Sequence, residues 1–313
     1  MNLGGEPMRK QNFFDVIIVG GGPAGLSAAL VLGRACRTVL LCDSNQPRNW
    51  ASKSLHGFIA LDGLNPRELV RKGREQLAAL GTVTFWDDEV VSGHRWQNEF
   101  EIMMKDGRTA SGRKLLLATG VTDELPPIPG AVDFFGRSVF QCPYCDGWET
   151  RGKPTAIYGR GARGFTMVRA LFGWTQDLVL CTDGPSGLLM RQKKILDGHG
   201  IAVREEPIEC LEGQDGKLQA IRFRNGDSLP RDFLFFNLPC TQKSGLAESL
   251  GCEFTDNGGV KTGHYEATNI PGLYVAGNMI KDVHLAVVAA AEGTRAALGI
   301  NKALGKENFA LAE

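Results

Sequence analysis

Short apolar runs, each closed by glycine and followed by a helical pattern, set the rhythm of the chain. Phe14 to Val19 is apolar at nearly every position, which predicts a parallel strand covered on both faces. It leads into Gly20-Gly21-Gly22-Pro23-Ala24-Gly25, then an Ala/Leu-rich helix to about Arg34 and a second apolar strand, Thr38 to Cys42, ending on Asp43. Residues Arg48 to Leu64 have little periodicity and read as a loop containing His56. Asn65 as N-cap and Pro66 as first helical residue open a helix with Leu69, Gly73, Leu77 and Leu80 along one face, stopped by Gly81. From Val83 the pattern shortens to strands, with a hairpin at Asp106-Gly107 and a buried-looking strand, Lys114 to Ala118, ending in Thr119-Gly120. The proline-rich stretch Leu125 to Gly130 reads as a hinge.

The pattern then begins again. Thr155 to Tyr158 is a strand, Gly159-Arg160-Gly161-Ala162-Arg163-Gly164 a second glycine turn, and Leu178 to Thr182 a strand ending on Asp183. A helix from Leu188 to Leu196, a hairpin at Asn225-Gly226 and a strand from Phe233 to Asn237 complete the second copy. Each second strand carries one cysteine, Cys42 and Cys181, read as packing residues. Past Leu238 a connector reaches another strand, ending in Gly277-Asn278, and an Ala/Val-rich helix from about His284 to Leu304. That last segment does not resemble the second copy, so it is expected to return to the first domain. The expected fold is α/β, with two Rossmann-like dinucleotide-binding domains. Residues 1–123 and 242–313 form one, and residues 124–241 form the other, inserted between them.

Length and charge narrow the function. With 313 residues, 43% hydrophobic and 22% charged, the chain can bury two sizeable cores. The 35 basic residues balance 35 acidic ones, giving no electrostatic case for nucleic acid or an anionic membrane. No apolar run approaches the roughly 20 residues that span a bilayer. Met1 to Gln11 is polar and lacks a secretory pattern, so a cytoplasmic protein is expected. There the eight cysteines should be mostly reduced, with any disulfide catalytic.

Strand, glycine turn, helix and strand ending in an acid form a dinucleotide fingerprint. The glycines let the backbone approach a pyrophosphate at the helix start, and Asp43 can take a ribose hydroxyl pair. Between the two fingerprints lies Gln141-Cys142-Pro143-Tyr144-Cys145-Asp146-Gly147. Two cysteines at this spacing can pair, and a helix start favours the thiolate. A zinc reading needs a second Cys/His pair, whereas Cys181, Cys210, Cys240 and Cys252 stand singly; no metal is expected. A thiol pair between two nucleotide cradles suggests wiring to a redox cofactor.

Four motifs in order carry a family resemblance: Gly20 to Gly25, Leu117-Ala118-Thr119-Gly120, Cys142 to Gly147, and Gly272-Leu273-Tyr274-Val275-Ala276-Gly277 before the alanine-rich helix. Over nearly its full length the chain resembles the low-molecular-weight thioredoxin reductases and related dithiol oxidases. The resemblance implies a discontinuous FAD domain, an inserted pyridine-nucleotide-type domain and a homodimer. It places Gly20, Gly22 and Gly25, with Pro23 and Ala24 in the same turn, on the FAD pyrophosphate, and Asp43 on the adenosine ribose. Thr119, Gly120, Gly277 and Asn278 would line the flavin site. Cys145 would face the flavin, Cys142 would exchange with a thioredoxin-like protein or a small-molecule thiol or disulfide, and Asp146 would shuttle the proton.

The departures from the family pattern bear on the electron partner. Asn278 stands where an aspartate is usual, and His284-Leu285 replaces Arg-Gln, so His284 is a candidate contact to flavin or substrate. Gly159, Gly161 and Gly164 permit a second dinucleotide, yet Thr182 to Leu188 holds no cation for the 2′-phosphate of NADPH. Asp183 would repel that phosphate and accept the hydroxyls of NADH, while Arg160 and Arg163 keep a phosphate within reach. The expected function is an FAD-dependent dithiol–disulfide oxidoreductase with doubtful NADPH use. An oxygen-dependent dithiol oxidase is the alternative, and a non-catalytic flavin redox sensor ranks behind both.

Overall fold

A computed structural model describes residues 12–310. Met1 to Gln11, read as lacking a secretory pattern, therefore lies outside the described residues. Two compact units divide the chain. The first gathers residues 12–48, Arg67–Thr122 and residues 241–310; the second gathers Asn49–Pro66 and Asp123–Cys240. The loop containing His56 thus belongs with the second unit rather than with the glycine turn that precedes it.

In the first unit, β1 (Phe13–Val19), α1 (Pro23–Arg34), β2 (Val39–Cys42), α2 (Pro66–Ala78) and β3 (Val83–Trp86) are followed by β4 (Val90–Trp96), β5 (Glu99–Met104) and β6 (Thr109–Leu117). A short strand, β7 (Val121–Asp123), leads out of it. The second unit runs α3 (Ala131–Phe134), β8 (Val139–Phe140), α4 (Pro143–Asp146), β9 (Thr155–Tyr158), α5 (Gly161–Leu171), β10 (Leu178–Cys181), α6 (Met190–Gly198) and β11 (Ala202–Arg204). It continues through β12 (Ile208–Gln214), β13 (Lys217–Phe223), β14 (Ser228–Pro230) and β15 (Phe233–Phe236) to β16 (Cys240–Gln242). The chain then returns through α7 (Leu246–Ser249), β17 (Leu273–Val275) and α8 (Ala286–Ala310).

The first sheet runs β3-β2-β1-β6-β5-β4, and β17 pairs with the C-terminal part of β6. β1, β2, β3, β6 and β17 are parallel, while β4 and β5 add an antiparallel hairpin. Side-chain alternation divides β1 between two layers. Val16 and Ile18 pack with the small residues of α1 and α8, and Ile17 and Val19 pack with Phe100, Ile102 and Leu246. Both faces are apolar because both are covered, as the unbroken Phe14–Val19 pattern requires. Burying each such aliphatic side chain contributes about 1.5–3 kcal/mol. α8 extends to Ala310, beyond the expected end at Leu304, because Glu307 in its last turns pairs with Lys114 and with Arg113 at 2.8 Å.

The second sheet, β11-β10-β9-β15-β8, is parallel throughout and repeats the fingerprint order. β12-β13-β14 form a separate antiparallel sheet. Two hairpins build it. The Asn225-Gly226 turn was expected from the sequence, and a second joins β12 to β13 at Asp215-Gly216, where both residues adopt positive φ (55° and 76°). Cys42 and Cys181 are fully buried, and burial pushes both thiols up to about 12, as suits packing residues. No helix among the described residues is long and apolar enough to cross a membrane.

Candidate active site

The first glycine turn is built for close approach. The Gly20 amide donates to the Cys42 carbonyl at 2.8 Å, folding the turn across the end of β2. A side chain at Gly25 would meet the Gly20 carbonyl oxygen at 1.9 Å, so this glycine is required by α1 lying against the turn. Gly22 differs. Its φ is an ordinary −76°, and a Cβ there would meet nothing within 4 Å. The protein itself gives no reason for this glycine, whereas a bound group approaching the backbone does. No side chain caps α1, and its first turn holds no acid, leaving its amides directed at that open space. Asp43 directly follows β2 and lies beside Gly21, with the Arg74 guanidinium 4.0 Å from its carboxylate. These features fit a dinucleotide pyrophosphate and ribose.

Around the same unit, the Thr119 hydroxyl donates to the Met279 sulfur at 3.1 Å, and Gly120 and Gly277 adopt positive φ (73° and 79°). Asn278 follows Gly277 in a short 3-10 turn, Gly277–Ile280, and His284 lies just before α8, half-buried. Sequence reading passed over Glu292 on α8. It accepts the Gly277 amide at 2.7 Å, and its carboxyl is pushed up to about 7, chiefly by burial. An acid directly after the apolar run Ala286–Ala291 is the available signal.

In the second unit Cys142 and Cys145 form a disulfide, with Cα atoms 5.3 Å apart. Cys142 is the N-cap of α4, and the Cys145 amide donates to its sulfur at 3.2 Å. α4 has only four residues, so a helix dipole contributes little to the thiolate. The directed N–H takes its place, and it favours negative charge on Cys142. Tyr144 and Trp148 are largely exposed beside the pair; Tyr144 meets Trp174 edge-on and Arg151 stacks on Trp148.

Asp146 ends α4, and its carboxyl is raised to about 7. Burial is the largest cause, Glu149 adds to it, and His56 opposes it. An acid raised this way is protonated below about pH 7 and a carboxylate above. Acting as base for an incoming thiol, it should give disulfide exchange a rate that climbs through neutral pH. Asp146→Asn should remove that limb and slow exchange by about 10²-fold at pH 8. Single-turnover exchange rates between pH 5.5 and 8.5 check this; an unchanged limb in the variant would assign it to another group.

The second glycine turn is closed by the protein. The Gly161 amide, at the start of α5, donates to the Ser186 carbonyl at 2.7 Å. Arg160 folds onto the end of β10, donating to the carbonyls of Thr182 (2.6 Å) and Asp183. Asp183 sets one carboxylate oxygen on the Ile208 amide at 2.8 Å. Gly164 still permits close packing: a Cβ there would lie 2.6 Å from the Gly159 carbonyl oxygen. No group of three or more potential ligands among the described residues is placed to hold a metal.

Comparison with known proteins agrees with this architecture. Residues 14–293 match the pyridine nucleotide-disulphide oxidoreductase family. Thioredoxin reductase tcpT of Claviceps purpurea is 32% identical over 295 residues, covering 90% of this chain and 92% of that protein. Thioredoxin reductase aclD of Aspergillus oryzae is 30% identical over 301 residues, covering 92% and 95%. A putative thioredoxin reductase, TrxB, from Bacillus anthracis superposes with a TM-score of 0.90 at 33% identity, covering 95% of this chain and 100% of that one. The chain belongs to the pyridine nucleotide-disulphide oxidoreductase family and is a thioredoxin reductase-like, FAD-dependent oxidoreductase.

Proposed function

We propose that the protein is a dithiol–disulfide oxidoreductase whose Cys142–Cys145 pair exchanges electrons with a thiol substrate, and for which a nicotinamide nucleotide is a poor partner. The observation that carries this reading is the closed second glycine turn. Gly161, Arg160 and Asp183 are three of the groups a nucleotide would use for phosphate and ribose, and each is hydrogen-bonded within the protein, while Arg163 of the same turn is exposed. Binding there competes with these hydrogen bonds, most directly at the Gly161 amide, whose single N–H is already committed to Ser186. The residues assigned to FAD in the first unit are Gly20, Gly22, Pro23, Ala24, Gly25 and Asp43, with Thr119, Gly120, Gly277, Asn278 and His284 nearer the reactive end. Bound FAD supplies a two-electron acceptor.

In the direction of dithiol oxidation, a substrate thiolate attacks the Cys142 sulfur and the Cys142–Cys145 bond breaks, leaving Cys145 as thiolate. Asp146 takes the proton of the incoming thiol. The substrate's second thiolate then attacks the mixed disulfide, closing the substrate disulfide and releasing Cys142. Two electrons and two protons remain with the protein, and dioxygen, leaving as hydrogen peroxide, balances the cycle. A small-molecule dithiol or a thioredoxin-like protein suits this exchange. A cytoplasmic homodimer, with an FAD domain drawn from residues 1–123 and 242–313 apart from the 49–66 loop, and an inserted domain of 124–241, completes the proposal.

A second reading, reduction by NADPH or NADH, is favoured by the retained spacing of Gly159, Gly161 and Gly164. Equilibrium titration separates the two. The proposal expects a Kd above about 1 mM for both nucleotides, weaker than about 4 kcal/mol of binding free energy. Binding in the low micromolar range would support the second reading.

A further inference from the structure

Beside the thiol pair lies a chain of charged side chains to which the exchange cycle assigns no part. His56 comes from the loop Asn49–Pro66, which is drawn closed where the Leu55 amide donates to the Leu64 carbonyl at 2.7 Å. Its Nδ1 lies 3.3 Å from an Asp62 carboxylate oxygen, and the other oxygen of Asp62 accepts the Gly57 amide at 2.8 Å. Its Nε2 lies 3.7 Å from Glu149, three positions beyond Asp146. The imidazole is thus within hydrogen-bond range of Asp62 at Nδ1 and within ion-pair distance of Glu149 at Nε2, with its side chain only 23% exposed. Set between carboxylates from two separate segments, the imidazole links the 49–66 loop to the stretch after α4.

We infer that His56 is a positioning residue for the exchange reaction: lying between Asp62 and Glu149, it sets the charge around Asp146 and thereby the pH at which Cys142 exchanges. The inference rests on the functional reading above, in which Asp146 handles the substrate proton. Two charged groups act on Asp146, Glu149 from the segment after α4 and His56 from the 49–66 loop, with Asp62 behind His56. They pull in opposite directions. A protonated His56 favours the Asp146 carboxylate, and an ionised Glu149 disfavours it. Removing the charge of His56 and removing that of Glu149 therefore have opposite expected effects on Asp146, which a role in merely holding the loop would not produce.

The test follows reduction of the Cys142–Cys145 disulfide by dithiothreitol, quenched with iodoacetamide and read by mass spectrometry as alkylated Cys142, across pH 5.5 to 8.5. Rates are expressed relative to Asp146→Asn, so that ionisation of the probe cancels. His56→Gln should move the midpoint of the acid limb upward, and Glu149→Gln should move it downward, each by roughly half a pH unit or more. Glu149 is 40% exposed, so its variant keeps the inference testable should His56→Gln fail to fold. Shifts in the same direction, or midpoints unchanged in a foldable variant, would overturn the inference alone. A parent disulfide that dithiothreitol does not reduce would overturn the functional reading and this inference with it.

Discussion

Replacing either cysteine of the pair is expected to abolish turnover, with a loss of about 10³-fold or more, and the two variants should fail differently. Cys145→Ser leaves Cys142, the sulfur that accepts the Cys145 amide hydrogen bond, and it should accumulate a mixed disulfide with an activated substrate disulfide. Resolution fails because no second thiol stands close enough to displace the substrate. Cys142→Ser leaves Cys145 without that donor and should trap substrate slowly. Mass spectrometry of the intact protein after exposure to a small activated disulfide reads both outcomes. Trapping at Cys145 in preference to Cys142 would reverse the two roles.

Gly22→Val carries the second large effect. A valine at Gly25 would collide with the Gly20 carbonyl and damage the fold, so loss of cofactor there would teach little. At Gly22 the backbone is in an ordinary conformation and the space beyond it is open. The variant should therefore fold, and its added methyl groups should occupy the space a pyrophosphate needs. FAD content per chain should fall by about tenfold or more, with a circular dichroism spectrum like the parent's. Full flavin content in a folded Gly22→Val would place the pyrophosphate elsewhere.

Much of the fold is legible locally. Apolar runs ending in glycine and followed by small helical residues locate β1-α1-β2 and β9-α5-β10, because a strand buried on both faces leaves a continuous apolar signature. The hairpin at Asp106-Gly107 is equally local. Asp215-Gly216 carries the same signal, but the flanking residues Glu212, Gln214 and Lys217 obscure the strand pattern on either side of it. Candidate site residues are legible by type and spacing, but their hydrogen-bond partners are not. Asp183 looks free to receive a ribose until the chain folds back and brings the Ile208 amide to it. Arg160 looks ready for a phosphate until the carbonyls ending β10 take its guanidinium. His56 gains meaning only when the 49–66 loop reaches Glu149, more than 80 positions along the chain. Each is a long-range pairing, and no periodicity encodes it.

The central claim is that electrons enter through the thiol pair rather than through the second glycine turn. Anaerobic titration of the FAD-loaded, oxidised protein with dithiothreitol, NADH and NADPH in turn tests it most directly, following loss of the flavin absorbance band. The account predicts stoichiometric bleaching by the dithiol, its abolition in Cys142→Ser, recovery of the band on admitting air, and slow or negligible bleaching by either nucleotide. Rapid stoichiometric bleaching by NADPH or NADH, with the dithiol inert, would contradict it.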